Sequence, residues 1–457
     1  MNKMFNLTKK LCLNIIIMLA LLSCSVGSNS SHENVLIITD IHLDPFNSCG
    51  TSVTEDSKLC VLALINESNP ANWHFGASEP NSYGEETNNT FFINGLNNLT
   101  NTVKGQNISK IFVTGDLLSH EFPAQFESYV PDGTQSQHTN LAINTMNYVL
   151  YKISKAIPGA KIYYIFGNND TDQSDYSYPT PEFMELAASR LNQYMAYPEV
   201  FKSDFANGGY YAMPFNQNVD VLALNMNPLT VENEGNVIDD RIAESQLVWL
   251  ESQLYNLRNE GKKAIILQHE PFGANVFNIA EGDRPDYNLQ PKYGDRYQSL
   301  YGKYNDVIQN YYFGHYHMED YMVIESLFAM STLGFSVDFN NNPGFKVIQL
   351  NENGSLVNFI TYYSDYNLSN SLVWSELYNL NDAYGISATD AVNFFFNISR
   401  GDNSFWSNYV KNYSGGATFM SESKMPINSE SNWAYYECQI KYSDMTKYLQ
   451  CMEGNKI

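Results

Sequence analysis

Basic residues are scarce in this 457-residue chain: 26 Lys and Arg stand against 49 Asp and Glu, for a formal net charge of -23. Such a surface repels phosphate backbones, and no basic patch interrupts it, so nucleic-acid polymers are excluded as partners. Cysteine is also sparse, six in all, and none falls in a CxxC pair. That argues against a zinc–thiolate site. Beyond the N-terminus there is no apolar run of the roughly 20 residues that a membrane span needs. No tract is of low complexity and no internal period is detectable. Histidine is rare as well, at eight residues.

The first 24 residues read as a leader rather than part of the fold. Lys9 and Lys10 precede an apolar run from Leu11 to Leu22, then small residues follow. This order is that of a signal peptide, so a secreted or extracytoplasmic location is expected. Leu21-Leu22-Ser23-Cys24 also resembles a bacterial lipoprotein cleavage box, which would put a lipid anchor on Cys24; the alternative is an ordinary cleavage site nearby. Outside the leader four cysteines remain, an even number that reads as two disulfides in an exported chain. Four cysteines allow three pairings. Cys49 with Cys60 and Cys438 with Cys451 are favoured because both close short loops. Asn-x-Ser/Thr sequons occur at Asn66, Asn88, Asn98, Asn107, Asn353, Asn367, Asn397 and Asn412, and at Asn169. In an Asn-rich chain many of these arise by chance.

Residues 25–363 read as a domain of alternating strands and helices. Strands are expected over Val35–Thr39, Ile111–Thr114, Lys161–Phe166, Val219–Asn225 and Ala264–Leu267. Helices are expected over Gln137–Ile157, Pro181–Ala196 and Ser245–Asn259, the last with Leu247, Leu250, Leu254 and Leu257 on one face. Phe345–Leu350 and Leu356–Tyr362, joined through Asn353-Gly354, form a hairpin. This alternation gives a layered α/β domain. Residues 364–457 change character and read as a smaller, mainly helical appendage carrying Trp374, Trp406 and Trp433. The stretch Asn69–Asn89 reads as a loop bordering a site.

Five of the eight histidines fall in four short patches: Asp40-Ile41-His42, Gly115-Asp116-Leu117-Leu118-Ser119-His120, Gln268-His269-Glu270-Pro271 and Gly314-His315-Tyr316-His317. A fifth patch, Gly167-Asn168-Asn169-Asp170, lies between them. Most follow an expected strand, and strands ending in polar residues can converge on one sheet edge. Asp40, His42, Asp116, Asn168, His269, His315 and His317 together make a set suited to two divalent metals. A phosphoester repels nucleophiles; two such ions about 3.5–4 Å apart clamp it and make a hydroxide at neutral pH. They need a bridging carboxylate, with imidazole and oxygen ligands to complete each shell. His315 and His317 alternate, so on a strand they would share a face. A lone histidine after a strand is more often a cap or core residue; the set as a whole argues otherwise. His138, in a polar helical start, is expected to be solvated. His74 is expected at the surface. Asp170 is expected either to hydrogen-bond a ligand histidine or to cap the following turn.

In order, the five blocks match DxH, GD, GN[HN][DE], H and GHxH, and the chain resembles the calcineurin-like metallophosphoesterases. "TDIHLDP" (39–45), "TGDLLSH" (114–120) and "NNPGFKV" (341–347) are similar to the acid sphingomyelinase-like phosphodiesterase branch. The resemblance implies a four-layer α/β sandwich and two zinc ions. Asp40, His42 and His317 would hold the first metal, and Asn168, His269 and His315 the second, with Asp116 bridging. His120 would protonate the leaving oxygen. The branch usually has His at position 169; Asn169 can donate a hydrogen bond to a phosphate oxygen but cannot transfer a proton. The expected function is hydrolysis of small phosphodiesters or nucleotide phosphates, with no saposin-like segment before the catalytic domain. Alternatives are a sphingomyelin phosphodiesterase giving ceramide and phosphocholine, an endopolyphosphatase, and a non-catalytic binding protein on the same scaffold. The partner is thus a nucleotide or a phospholipid head group.

Overall fold

The computed structural model describes residues 32–76, 78–276, 286–366, 372–417 and 426–454. The leader, Cys24 and the sequon at Asn367 lie outside the described residues. Among those described, no helix is long and apolar enough to cross a membrane.

The strands run in chain order as β1 (Glu33–Ile38), β2 (Ile108–Val113), β3 (Lys161–Tyr164), β4 (Tyr211–Pro214), β5 (Val219–Ala223) and β6 (Lys263–Leu267). There follow the short β7 (Ala274–Asn275) and β8 (Asp286–Tyr287), then β9 (Ile308–Tyr312), β10 (Tyr321–Ile324), β11 (Leu327–Met330), β12 (Gly344–Leu350), β13 (Leu356–Tyr363) and β14 (Ser375–Asn379). They form two six-stranded sheets, ordered β14-β13-β12-β1-β2-β3 and β10-β11-β9-β6-β5-β4. In the first, β1, β2 and β3 are parallel; in the second, β5, β6 and β9 are. These six are runs such as Val35-Leu36-Ile37-Ile38 and Ala264-Ile265-Ile266-Leu267, buried along nearly their whole length. Continuous apolar strands need cover on both faces.

The inner faces of the sheets meet: the Phe112 and Tyr312 rings lie 5.8 Å apart, and Tyr211 donates to the Tyr164 carbonyl at 2.7 Å. Outside the first sheet packs the helix Gln135–Ala156, started by a capping box between Thr134 and Gln137. Helix Val237–Glu260 buries Leu247, Leu250, Leu254 and Leu257 and stops at Gly261, whose φ of 71° suits a C-cap. It begins about two turns before the expected start at Ser245. Asn236 caps it, while Val237 and Ile238 stay exposed and so leave no periodic signal. The result is the four-layer α/β sandwich.

The C-terminal segment is mainly helical, and Trp406 stacks on Trp433 at 5.3 Å. It also supplies β14, which pairs antiparallel with β13, so the first sheet runs across position 364. Disulfides join Cys49 to Cys60 and Cys438 to Cys451. Among the sequons, Asn66, Asn107, Asn353 and Asn397 are exposed and Asn98 is half-buried, whereas Asn88, Asn169 and Asn412 are buried.

Candidate metal centre

Every patch follows the C-terminal end of a parallel strand. Asp40 and His42 follow β1, Asp116 follows β2 and Asn168 follows β3; His269 follows β6, and His315 and His317 follow β9. Each sheet therefore delivers part of one cluster, at the edge where open α/β sheets bind their ligands.

The backbone there is unusual. Asp40, His42, Asp116, His315 and His317 have φ of 51°, 48°, 51°, 78° and 59°. Side chains rarely adopt this left-handed region, and it costs roughly 1–2 kcal/mol per residue. Five such residues in one cluster mark a functional constraint. They also correct one expectation. His315 and His317 do not share a strand face; β9 ends at Tyr312, and a tight turn sends the two rings to different places. Two glycines allow the loops to close up. A Cβ on Gly167 would lie 2.0 Å from Oδ1 of Asp116, and one on Gly314 would lie 2.2 Å from Oγ1 of Thr39.

Two groups of candidate ligand atoms result. In the first, Nε2 of His42 is 3.1 Å from Nε2 of His317, and Oδ1 of Asp40 is 3.6 Å from the latter. In the second, Oδ1 of Asn168 is 3.1 Å from Nε2 of His269 and 2.9 Å from Nδ1 of His315. Oδ2 of Asp116 lies between them, 3.4 Å from His42 and 3.2 Å from His269.

These spacings fit metal ions. Ligand nitrogens 2.0–2.1 Å from a tetrahedral zinc would be about 3.3 Å apart. Oδ2 of Asp40 is buried without a hydrogen-bond partner. Among the described residues, every ion-pair partner of Asp40 and Asp116 is a histidine. Two buried carboxylates with neither Lys nor Arg require another source of positive charge. The imidazoles supply part of that charge, and burial raises Asp40. Burial alone would raise Asp116, yet the imidazoles of His269 and His42 hold it well below the usual carboxylate range. His269 is pulled well above its ordinary value by Asp116 and Asp40, against burial. Burial pushes His42 and His315 down, so these are neutral imidazoles able to bind metal.

Neighbouring groups orient these side chains. Nδ1 of His269 faces the Thr114 carbonyl at 2.6 Å, and Nδ1 of His317 faces Oδ1 of Asp338 at 2.9 Å. Asp170 takes neither expected role. It accepts from the backbone of Leu117 and Leu118 and from Tyr164 and Gly167, tying the Asp116 loop to the Asn168 loop. Asn169 turns inward: its backbone and side-chain nitrogens both donate to Asp116, each at 2.9 Å.

His120 stacks on His42 with ring centroids 4.2 Å apart. Its Nδ1 lies 2.8 Å from Glu86 and 3.3 Å from Asp338, which raise its pKa to about 10 against the effect of burial. Glu86 comes from the loop expected to border the site. Neither it nor Asp338 belongs to a sequence motif; the one local signal is a lone acid among the apolar residues Phe335, Val337 and Phe339. His138 departs from expectation. It is buried, with rings of Phe122 and Phe126 stacked 5.7 and 4.8 Å away. The polar start of its helix faces solvent, and His138 turns the other way. His74 is exposed.

A family model described as calcineurin-like phosphoesterase matches residues 33–319, more than half of the chain. Sphingomyelin phosphodiesterase B of Dictyostelium discoideum is 23% identical over 93% of this chain and 66% of its own length. The chain thus spans just under two thirds of that relative. A human protein named cyclic GMP-AMP phosphodiesterase SMPDL3A is 25% identical over 76% of this chain and 75% of its own length. A dimetal phosphatase from Danio rerio superposes with a TM-score of 0.44 at 12% identity, over 72% of this chain and 95% of its own.

Proposed function

Given that this chain belongs to the calcineurin-like phosphoesterase family, we propose that it is a binuclear phosphodiesterase acting on small phosphodiesters, nucleotide-type substrates first. The observation that carries this reading is the position of Asp116, whose Oδ2 faces His42 at 3.4 Å and His269 at 3.2 Å. A carboxylate shared by two ligand groups is what a metal pair requires.

Asp40, His42 and His317 would hold one ion, Asn168, His269 and His315 the other, and Asp116 would bridge them. Zinc suits the four imidazoles. Two such ions, when bound, neutralise the phosphate oxygens and provide a nucleophile at neutral pH. His120 is the chain's own proton donor. It stands against His42 at the edge of the first group and is kept protonated by Glu86 and Asp338. Asn169 is committed to Asp116 and steadies the bridge.

A second reading is hydrolysis of sphingomyelin, favoured by the Dictyostelium relative that aligns over 93% of this chain. The two disulfides support passage through an oxidising compartment.

A turnover panel tests the proposal. Phosphorus NMR would follow cyclic GMP-AMP, ATP, CDP-choline, polyphosphate and detergent-dispersed sphingomyelin, with zinc, near pH 5 and pH 7. Hydrolysis that is lost in Asp116→Ala is the expected result, and the substrate consumed fastest decides between the readings. Folded, zinc-loaded protein with no turnover above that variant would overturn the enzyme assignment in favour of a binding protein.

A further inference from the structure

We propose that Asp175 and Tyr176 are positioning residues for the second metal, setting the orientation of two of its ligands. The inference rests on the dimetal reading of the site and goes beyond it.

An asparagine ligand can present either end of its amide, and only the oxygen binds a cation. Oδ1 of Asp175 accepts a hydrogen bond from Nδ2 of Asn168 at 2.7 Å. That contact leaves Oδ1 of Asn168 facing Nε2 of His269 and Nδ1 of His315. With an acceptor instead of a donor at this position, the flipped amide is disfavoured.

An imidazole raises the same question, because either nitrogen can be the ligand and the other one's hydrogen bond decides. His42, His269 and His317 turn Nε2 toward the cluster. His315 turns Nδ1, and its Nε2 lies 3.2 Å from the Tyr176 hydroxyl. A hydroxyl accepting from Nε2–H leaves Nδ1 with a free lone pair for the metal.

Tyr176 is held for this purpose from both sides. Its φ is 60°, an outlier for a bulky residue. Its backbone nitrogen donates to the Asn168 carbonyl at 3.0 Å, and its carbonyl accepts from Asn233 at 2.7 Å. Asp175 is exposed and Tyr176 half-buried. Neither is a core pillar, so trimming either one changes ligand orientation without opening a cavity. Neither residue contacts Asp40, His42 or His317 through any hydrogen bond or ion pair found among the described residues, so the effect should fall on one ion alone.

The test is equilibrium dialysis of the whole protein against buffered zinc, with metal content measured per chain, for wild type, Tyr176→Phe and Asp175→Ala. Apo-protein melting temperatures equal to wild type establish intact folding. Outer partners of ligands are typically worth about 10–100-fold in metal affinity. The expected result is a second equivalent weakened by that factor in each variant, with the first unchanged. Asp175→Asn should retain more affinity than Asp175→Ala, because its side-chain oxygen can still accept. Two unchanged binding steps in both variants would overturn the inference, as would equal weakening of both steps. Wild type binding fewer than two equivalents would instead overturn the dimetal reading.

Discussion

Asp338 holds the Nδ1 edge of His317 at 2.9 Å, on the opposite side of the ring from the nitrogen that faces Asp40 and His42. A carboxylate there fixes the tautomer that leaves Nε2 free and makes it a better ligand. Its other oxygen reaches His120 at 3.3 Å. One side chain thus touches both a proposed ligand and the proposed acid. Asp338→Asn is expected to weaken the first zinc about 10–100-fold while sparing the second. Metal content against free zinc reads this, and loss of the second ion in preference would contradict it.

Removing the proposed acid should separate chemistry from metal binding. His120→Ala is expected to lower turnover by about 100-fold or more with two metals still bound. The deficit should shrink on substrates whose leaving group needs no proton, such as a p-nitrophenyl phosphodiester. A change of only a few-fold on the natural class of substrate would remove His120 from the acid role.

Gly167 has no room for a methyl group. Its Cβ would meet Oδ1 of Asp116 at 2.0 Å and the Asp116 backbone nitrogen at 2.4 Å. Since Asp116 is pinned by Asn169, the clash cannot be relieved by a rotamer change. Gly167→Ala is expected to cost about 3 kcal/mol or more and to abolish tight metal binding. Gly294→Ala, in helix Pro291–Lys303 with nothing within 4 Å, is the matched control and should be neutral or stabilising. Urea midpoints and metal content check both.

Asp320 provides a pH test away from the metals. Burial raises it to about 7, although Tyr409, Tyr321 and Gln439 donate to it. The folded protein therefore keeps a proton that the unfolded chain releases near pH 4. The contribution of this group to stability is fully present below about pH 4 and is lost as pH rises toward 7. Asp320→Asn should flatten that part of the apo-protein's stability profile, and urea midpoints at pH 5 and pH 7 would measure it. An unchanged slope would mean that Asp320 is ionised in the folded state.

Much of this arrangement was legible before any coordinates. The ligand patches stand out because each is polar and directly follows a run such as Ile111-Phe112-Val113 that has to be buried. Strand ends were readable to within a few residues for the same reason. The groups behind the ligands were not. Glu86, Asp338, Asp175 and Tyr176 sit in loops, where no period relates a residue to its neighbour in space. His315 and His317 misled because alternation means a shared face only on extended backbone, and theirs is left-handed. His138 differs because the polarity of its own helix says nothing of Phe122 and Phe126, which come from a separate helix. The edge strand β14 was hidden in a segment whose other elements are helical.

The two sheets divide the ligands almost evenly, with Asp40, His42, Asp116 and Asn168 following strands of one and His269, His315 and His317 following a pair in the other. Ions bound there would act as rivets across a seam. Chelation should then do more than silence the enzyme: amide protons at the mouth of the seam would exchange faster, while those in the middle of each sheet would keep their protection. The catalytic centre would also be a clasp, and metal supply would govern how firmly the two halves of the molecule stay in register.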